Sequence, residues 1–180
     1  VPINLAARDR KCYIPPSSQE TNVDEPIKVK ADLIPYAHEY ARDVLSWIDS
    51  EEVYKDVCRG QDWPPPKDLV ESWQRKNVVS YLLFSERQPV AYGELWNRPL
   101  EMAVEVAHLI VAPAKRSMGY GTKMLEELYN RAAARPDVAK VLLNLYSENE
   151  VALSCYLKAG FELIGTSSYI TGLKMVRMVE

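Results

Sequence analysis

One stretch, Ala103 to Ala134, limits what this chain can become. A β-rich run from Ala103 to Val111 stops at Pro113, a turn carrying Lys115, Arg116, Ser117 and Met118 follows, and Gly119 and Gly121 open the next segment. From there to Ala134, Leu125, Leu128, Tyr129 and Ala132 recur at three- and four-residue spacing, which predicts a helix with one apolar face. The N–H groups that begin such a helix have no internal acceptor, and with the helix dipole they form an anion site that glycines let a phosphate approach closely. No Asp or Glu occurs between Pro113 and Leu125, whereas Lys115, Arg116 and Lys123 do. Acidic residues are the usual stabilisers of a helix start, so basic ones there point to a bound diphosphate between them. The alternative is a solvated basic turn. Two other nucleotide loops are excluded. The dinucleotide fingerprint needs a small residue where Met124 stands, and no acidic residue ends the following strand, which closes at Tyr146. A P-loop needs four residues between its glycines and a Gly-Lys-Ser/Thr ending, which Gly121-Thr122-Lys123 is not.

The remaining chain supplies a mixed α/β set of elements around this unit. Residues 1–24, with Pro15-Pro16-Ser17-Ser18, read as an N-terminal extension, and 25–180 as one domain. Pro26 to Lys30 reads as a short strand. Leu33 to Ile48 reads as a helix with Pro35 in its first turn, Asp49 to Val57 as a second helix ended near Gly60, and Asp68 to Lys76 as a third. Val78 to Ser85 and Val90 to Trp96 form a hairpin about Glu86-Arg87-Gln88-Pro89. Lys140 to Tyr146 is a strand. Asn149 to Ala159 is a helix with Ala152, Cys155, Tyr156 and Ala159 on one stripe and Gly160 as its stop. Phe161 to Gly165 and Lys174 to Val179 are closing strands. This order predicts a mixed sheet in a single domain.

Composition narrows the function classes. The chain has 180 residues, 47% hydrophobic and 26% charged, which is a globular balance, and a net charge of -3, which argues against nucleic acid as the main partner. Cys12, Cys58 and Cys155 are far apart and the only histidines are His38 and His108, so no metal site is expected. An odd cysteine count without signal-peptide core or membrane-length apolar run reads as cytoplasmic, with no membrane partner and a homodimer left open.

Arg116-x-x-Gly119-x-Gly121 after a strand ending in Val-x-Pro resembles the acetyl-CoA pyrophosphate loop of the GNAT superfamily of N-acetyltransferases. Downstream, Asn149-x-x-Ala152-x-x-x-Tyr156-x-x-x-Gly160-Phe161 is similar to the later CoA-side helix of that family and the strand after it. The two lie in order within residues 103–165. The resemblance implies a largely antiparallel central sheet flanked by helices and transfer of acetyl from acetyl-CoA to an amine, with no metal. It implies that Arg116, Ser117, Met118, Gly119, Tyr120, Gly121 and Thr122 cradle the pyrophosphate. It also implies that the backbone of Leu109, Ile110 and Val111 pairs with the pantetheine arm, where this strand splays from the one holding Leu143 and Leu145.

The same likeness places Tyr156 beside the CoA sulfur as the acid that protonates the leaving thiolate. A thiol of pKa about 8.5 needs only assistance. It places Glu105 as the base, matching a glutamate of the histone-acetyltransferase branch. A carboxylate among apolar neighbours has a raised pKa, as a base for an ammonium near 10.4 needs. Strand alternation puts Glu105, Ala107, Leu109 and Val111 on one face and Val104, Val106, His108 and Ile110 on the other, so His108, the rival base, would not share a cleft with Glu105. Each residue has a plainer reading: Tyr156 as core, Glu105 as an exposed strand end, His108 as a satisfied core group. Asn149 either touches CoA or caps its helix. Cys155 has no evident base beside it, which favours direct transfer. The acceptor would be met by Leu33–Arg75, Trp96–Leu100 and Ser167–Gly172. Trp47, Tyr54, Trp63, Trp73, Tyr92 and Trp96 are candidate walls there, and Asp49, Glu51 and Glu52 candidate attractors of a cation. The competing functions are a CoA-binding regulatory module without catalysis and a nucleotide-phosphate binder of another kind.

Overall fold

A computed structural model describes residues 29–58, 62–167 and 172–180. The predicted extension at 1–24, most of the strand at Pro26–Lys30, Gly60 and most of the Ser167–Gly172 loop lie outside the described residues. The strands are β1 (Asp32–Pro35), β2 (Val78–Ser85), β3 (Gln88–Arg98), β4 (Ala103–Val111), β5 (Lys140–Tyr146), β6 (Glu162–Thr166) and β7 (Gly172–Met178). The helices are α1 (Ala41–Ser46), α2 (Glu51–Cys58), α3 (Leu69–Ser72), α4 (Tyr120–Ala133) and α5 (Glu150–Lys158). The strands form one sheet in the order β1-β2-β3-β4-β5-β7-β6, antiparallel throughout except for β4 beside β5. The expected mixed, largely antiparallel sheet with flanking helices is present.

Its two faces bury different clusters. On one, α4 lays Met124, Leu125, Leu128 and Ala132 against Leu83, Leu95, Val104, Val106 and Leu143. Full burial of side chains of this size is worth about 1.5–3 kcal/mol each. On the other, α1, α2 and α3 pack Val44, Tyr54, Val70 and Trp73 over Leu82, Tyr92 and Ile110. The helix face expected from Leu125, Leu128, Tyr129 and Ala132 is the buried one. In α5 no residue is fully buried, and Ala152, Leu153 and Tyr156 only partly pack on the core.

The first segment departs from expectation. Asp32 to Pro35 is a strand, paired Asp32 with Phe84 through Pro35 with Tyr81, and the helix predicted from Leu33 begins only at Ala41. The apolar spacing was real, since Ala41, Val44 and Ile48 are buried. Pairing with β2 claims the residues ahead of them, however, and Pro35, at the end of an edge strand, has no N–H to lose. Val29 and Lys30 are not in a strand.

Gly93 sits in the middle of β3 under α4. A Cβ there would stand 2.8 Å from Leu128 Cδ1 and 3.1 Å from Met124 Cε. A glycine inside a strand marks this kind of close approach. Gly93→Val is expected to lower the free energy of unfolding by about 1–3 kcal/mol through overpacking, read as a shifted urea midpoint with an unchanged slope.

Candidate active site

The site begins where two strands part. β4 and β5 pair in parallel from Ala103 with Lys140 to Val106 with Leu143, and no further. Beyond that point β4 stays with β3 as far as Val111, and β5 stays with β7 as far as Tyr146. The backbone groups of residues 107–111 therefore face those of Asn144 and Leu145 across a gap instead of a ladder, and a buried backbone polar group needs a partner. The gap opens into a cleft of about 880 Å³ whose walls include Leu109, Ile110, Val111, Asn144, Tyr146 and Tyr156.

At one end of the cleft α4 begins. Its turn is made by Ser117 at φ 60° and Gly119 at φ 85°, both left-handed, and no side chain caps the helix. The first helical bond runs from Lys123 N–H to the Gly119 carbonyl at 3.0 Å. The N–H groups of Tyr120, Gly121 and Thr122 precede the ladder. Arg116, Ser117, Gly119, Gly121 and Thr122 all line the cleft. Met118 and Tyr120 do not. They border a second hollow beside Phe84 and Arg87, and the Tyr120 hydroxyl meets Ser85 Oγ at 3.1 Å. Only the backbone of those two residues is left to meet an anion, because in a tight turn successive side chains point apart.

The charge pattern has a partly internal explanation. Arg116 is clamped by Asp49 (3.1 Å to each carboxylate oxygen) and donates to the Trp47 carbonyl at 2.7 Å and the Val111 carbonyl at 3.3 Å. Lys123 pairs with Glu127 at 2.7 Å, and Lys115 lies 5.9 Å from the Tyr120 ring centroid. Two of the three cations thus have carboxylates of their own, which leaves the backbone amides of the helix start on the cleft. Asp49 and Glu51 likewise pair with Arg116 and Lys55.

At the other end lies α5. Asn149 caps it, its Oδ1 accepting from Ala152 N–H at 2.9 Å, and its Nδ2 donates to Asp56 at 2.8 Å. Tyr156 is half-buried at the cleft wall, its ring 6.5 Å from Phe161. Burial pushes its phenol well above the ordinary value, and the neighbouring Cys155 and Asp56 push the same way. Cys155 lies 3.2 Å from Thr122 Oγ1, and burial raises its thiol too, so it is no ready nucleophile.

Glu105 lines the same cleft and is buried, not an exposed strand end. Its surroundings are nevertheless not apolar. Arg98 donates to Oε2 through Nε at 3.0 Å and through Nη2, and Asn144 Nδ2 donates to Oε1 at 2.8 Å.

The alternation expected along β4 breaks at His108. Trp96 pairs with Glu105, Glu94 with Ala107 and Tyr92 with Ile110, so two residues of β4, His108 and Leu109, stand opposite Gly93 alone. This is a bulge, with His108 at φ 47°. The extra residue moves Ile110 onto the face of Glu105 and sends Leu109 and Val111 to the α4 side, where they pack with Val104 and Val106. His108 and Glu105 consequently line one cleft, contrary to strict alternation. His108 Nδ1 lies 3.0 Å from Glu94 Oε2, and its ring stacks on Trp73 at 4.1 Å. Glu94, Asn144 and Asp56 were not singled out from sequence. The available signal for Glu94 was a carboxylate in period with Tyr92 and Trp96 in an otherwise apolar strand. Of the six aromatic candidates only Trp96 lines the cleft; Trp47, Tyr54, Trp73 and Tyr92 are core.

No group of three or more His, Cys, Asp or Glu side chains among the described residues could hold a metal, and no described helix is long and apolar enough to cross a membrane.

Comparisons place this geometry. Aminoglycoside N(6')-acetyltransferases type 1 from Klebsiella pneumoniae and Serratia marcescens are each 24% identical over 134 residues. The match takes in 68% of this chain and 65% of theirs, so the chain spans about 65% of the length of these curated relatives. An aminoglycoside acetyltransferase solved with coenzyme A and kanamycin superposes with a TM-score of 0.69 at 19% identity, covering 83% of this chain and 95% of that one. A spermidine N-acetyltransferase from Vibrio cholerae, solved with CoA and spermine, gives 0.69 at 13% identity over the same shares. These two are likenesses of fold. The model of the acetyltransferase (GNAT) family matches residues 42–161, which holds the bulged strand, the capless helix start and the Tyr156 helix together. The chain belongs to the acetyltransferase (GNAT) family.

Proposed function

We propose that this protein transfers an acetyl group from acetyl-CoA directly to a primary amine. The observation that carries the reading is the fork between β4 and β5, with the free amides of the α4 start at one end and the Tyr156 phenol on its wall. Unpaired strand groups suit the amides of a pantetheine arm, and the N–H groups at Tyr120–Thr122 suit a pyrophosphate. Acetyl-CoA supplies the activated acyl group; the chain positions it and handles protons. Backbone N–H groups of the bulged strand can polarise the acetyl carbonyl. Tyr156, held protonated, donates to the departing thiolate. Glu105 keeps a carboxylate in the cleft, as the resemblance suggested for a base. Since Arg98 and Asn144 already occupy one lone pair or more on each oxygen, it acts on the acceptor through its charge.

The acceptor we infer is an amine on a molecule with more than one positive charge. Asp56 lines the cleft mouth, and partial desolvation, then the like charge of Glu52, raises its carboxyl above the usual range, with Glu148 adding to the effect and the Asn149 amide opposing it. Crowded like charges are relieved by a cation. The aminoglycoside and spermidine acetyltransferases to which the chain is similar point the same way.

Thiol release from acetyl-CoA over a panel of mono- and polyamines tests the whole reading; binding of CoA with no turnover on any amine refutes it. Three variants sharpen it. Tyr156→Phe is expected to lower kcat by about 10²-fold, the lower end for an acid that only assists, with CoA affinity unchanged in calorimetry. A phenol whose pKa is raised stays protonated through the assay range, so this deficit is expected to be the same from pH 6 to about pH 10. Gly119→Leu forces a branched side chain into a left-handed position beside Val29, at about 1–2 kcal/mol of backbone cost. It is expected to abolish CoA binding in calorimetry while unfolding stays cooperative. Asp56→Asn is expected to raise KM for a polyamine about two- to fivefold, the worth of one exposed ion pair, and to leave KM for a monoamine unchanged.

A further inference from the structure

We propose that His108, not Glu105, takes the proton from the acceptor ammonium, with Glu94 holding its ring in the reactive tautomer; this rests on the acetyltransferase reading above. The first observation is the bulge. A non-glycine residue at φ 47° is unfavourable, and here it turns His108 into the cleft that Glu105 and Trp96 also line. The second is the carboxylate behind the ring. Glu94 is fully buried and its carboxyl group meets three partners: Tyr92 Oη donates to Oε1 at 2.5 Å, Trp96 Nε1 donates to Oε2 at 2.5 Å, and His108 Nδ1 lies 3.0 Å from Oε2. An ionised carboxylate accepts only, and opposite one Nδ1 carries the proton, which puts the lone pair of the neutral imidazole on Nε2.

The third observation is where that lone pair goes. The ring is stacked at 4.1 Å on Trp73 and meets Trp96 edge-on at 5.3 Å, which removes its freedom to rotate. Nε2 has no hydrogen-bond partner in the protein among the described residues, and the side chain keeps 11% of its surface, on the cleft. Glu105 differs on this point: Arg98 and Asn144 hold its oxygens. Of the charged and titratable groups, Glu94 of β3 touches the ring, Glu105 of β4 and Asp56 of α2 line the same cleft, the buried Cys58 of α2 lies near Glu94, and Arg75 and Arg98 stand over the Trp96 ring that meets His108 edge-on.

The proton balance is then complete. The ammonium gives one proton to Nε2, the freed nitrogen forms the C–N bond, and the C–S bond breaks. Tyr156 protonates the thiolate and recovers a proton from the new amide nitrogen, and His108 returns its own to solvent. One proton leaves per turnover.

Two measurements test the assignment. In the wild-type protein, ring ¹⁵N shifts of the two histidines, assigned with a His38→Gln variant, are expected to show neutral His108 protonated at Nδ1 and bare at Nε2. The opposite tautomer overturns the proposal and does not depend on turnover. In kinetics, His108→Gln is expected to lower kcat/KM by about 10²-fold or more and to abolish the low-pH limb of the wild-type profile, with CoA affinity within about twofold, too small a change to reflect a lost contact. A fall in rate with an unchanged profile, or a rate within about threefold of wild type, overturns the assignment to His108 while leaving the acetyltransferase reading intact. A wild-type protein that acetylates no amine overturns both.

Discussion

Everything at this site depends on β4 and β5 being able to pair for only four residues. The register ends at Val106 and Leu143. Immediately beyond, β4 takes in an extra residue at His108 and turns with β3, while β5 continues along β7. The two strands are pinned at the vertex by the bond from Asn144 Nδ2 to Glu105 Oε1, with Arg98 holding the other carboxylate oxygen. A bulge increases local twist and bends its strand, and the fork opens beside this one. Backbone amides that would have been spent on a ladder are left to recognise something else.

The acids of the molecule show how neighbours assign jobs to identical side chains. Glu127 and Asp49 pair with cations of the α4 start, and Asp49 ties that loop to the α1–α2 connection through Arg116. Glu105 serves the vertex. Glu94, buried beside Trp96 and Tyr92 of β3, faces one histidine that stacks on Trp73. Asp56 alone among these sits at the mouth with other acids near it. A buried carboxylate is stable only where donors meet it, and the donors each one meets decide what it can do. The same holds for α5: its stripe is half-open because it flanks a cleft, which is what makes a protonated tyrosine available there.

The chain itself determined a good deal. Its 3.6-residue periodicity specified α4 and its buried face, its period-two runs specified β2, β4 and β5, and the acid-free turn before Gly119 marked the helix start that faces the cleft, because these are local preferences that act within a few residues. Asn149 was legible as a cap for the same reason. What only the tertiary structure decided were the features that depend on a partner distant in sequence. Leu33 and Ile34 became strand because β2 offered an edge. Arg116 turned to Asp49, sixty-seven residues away. The period-two rule failed at His108 because alternation assumes one residue facing one, and a bulge sets two against Gly93. Sequence could name Glu105 and His108 as rivals, but only the bulge put both in one cleft, with donors over the first and a carboxylate behind the second.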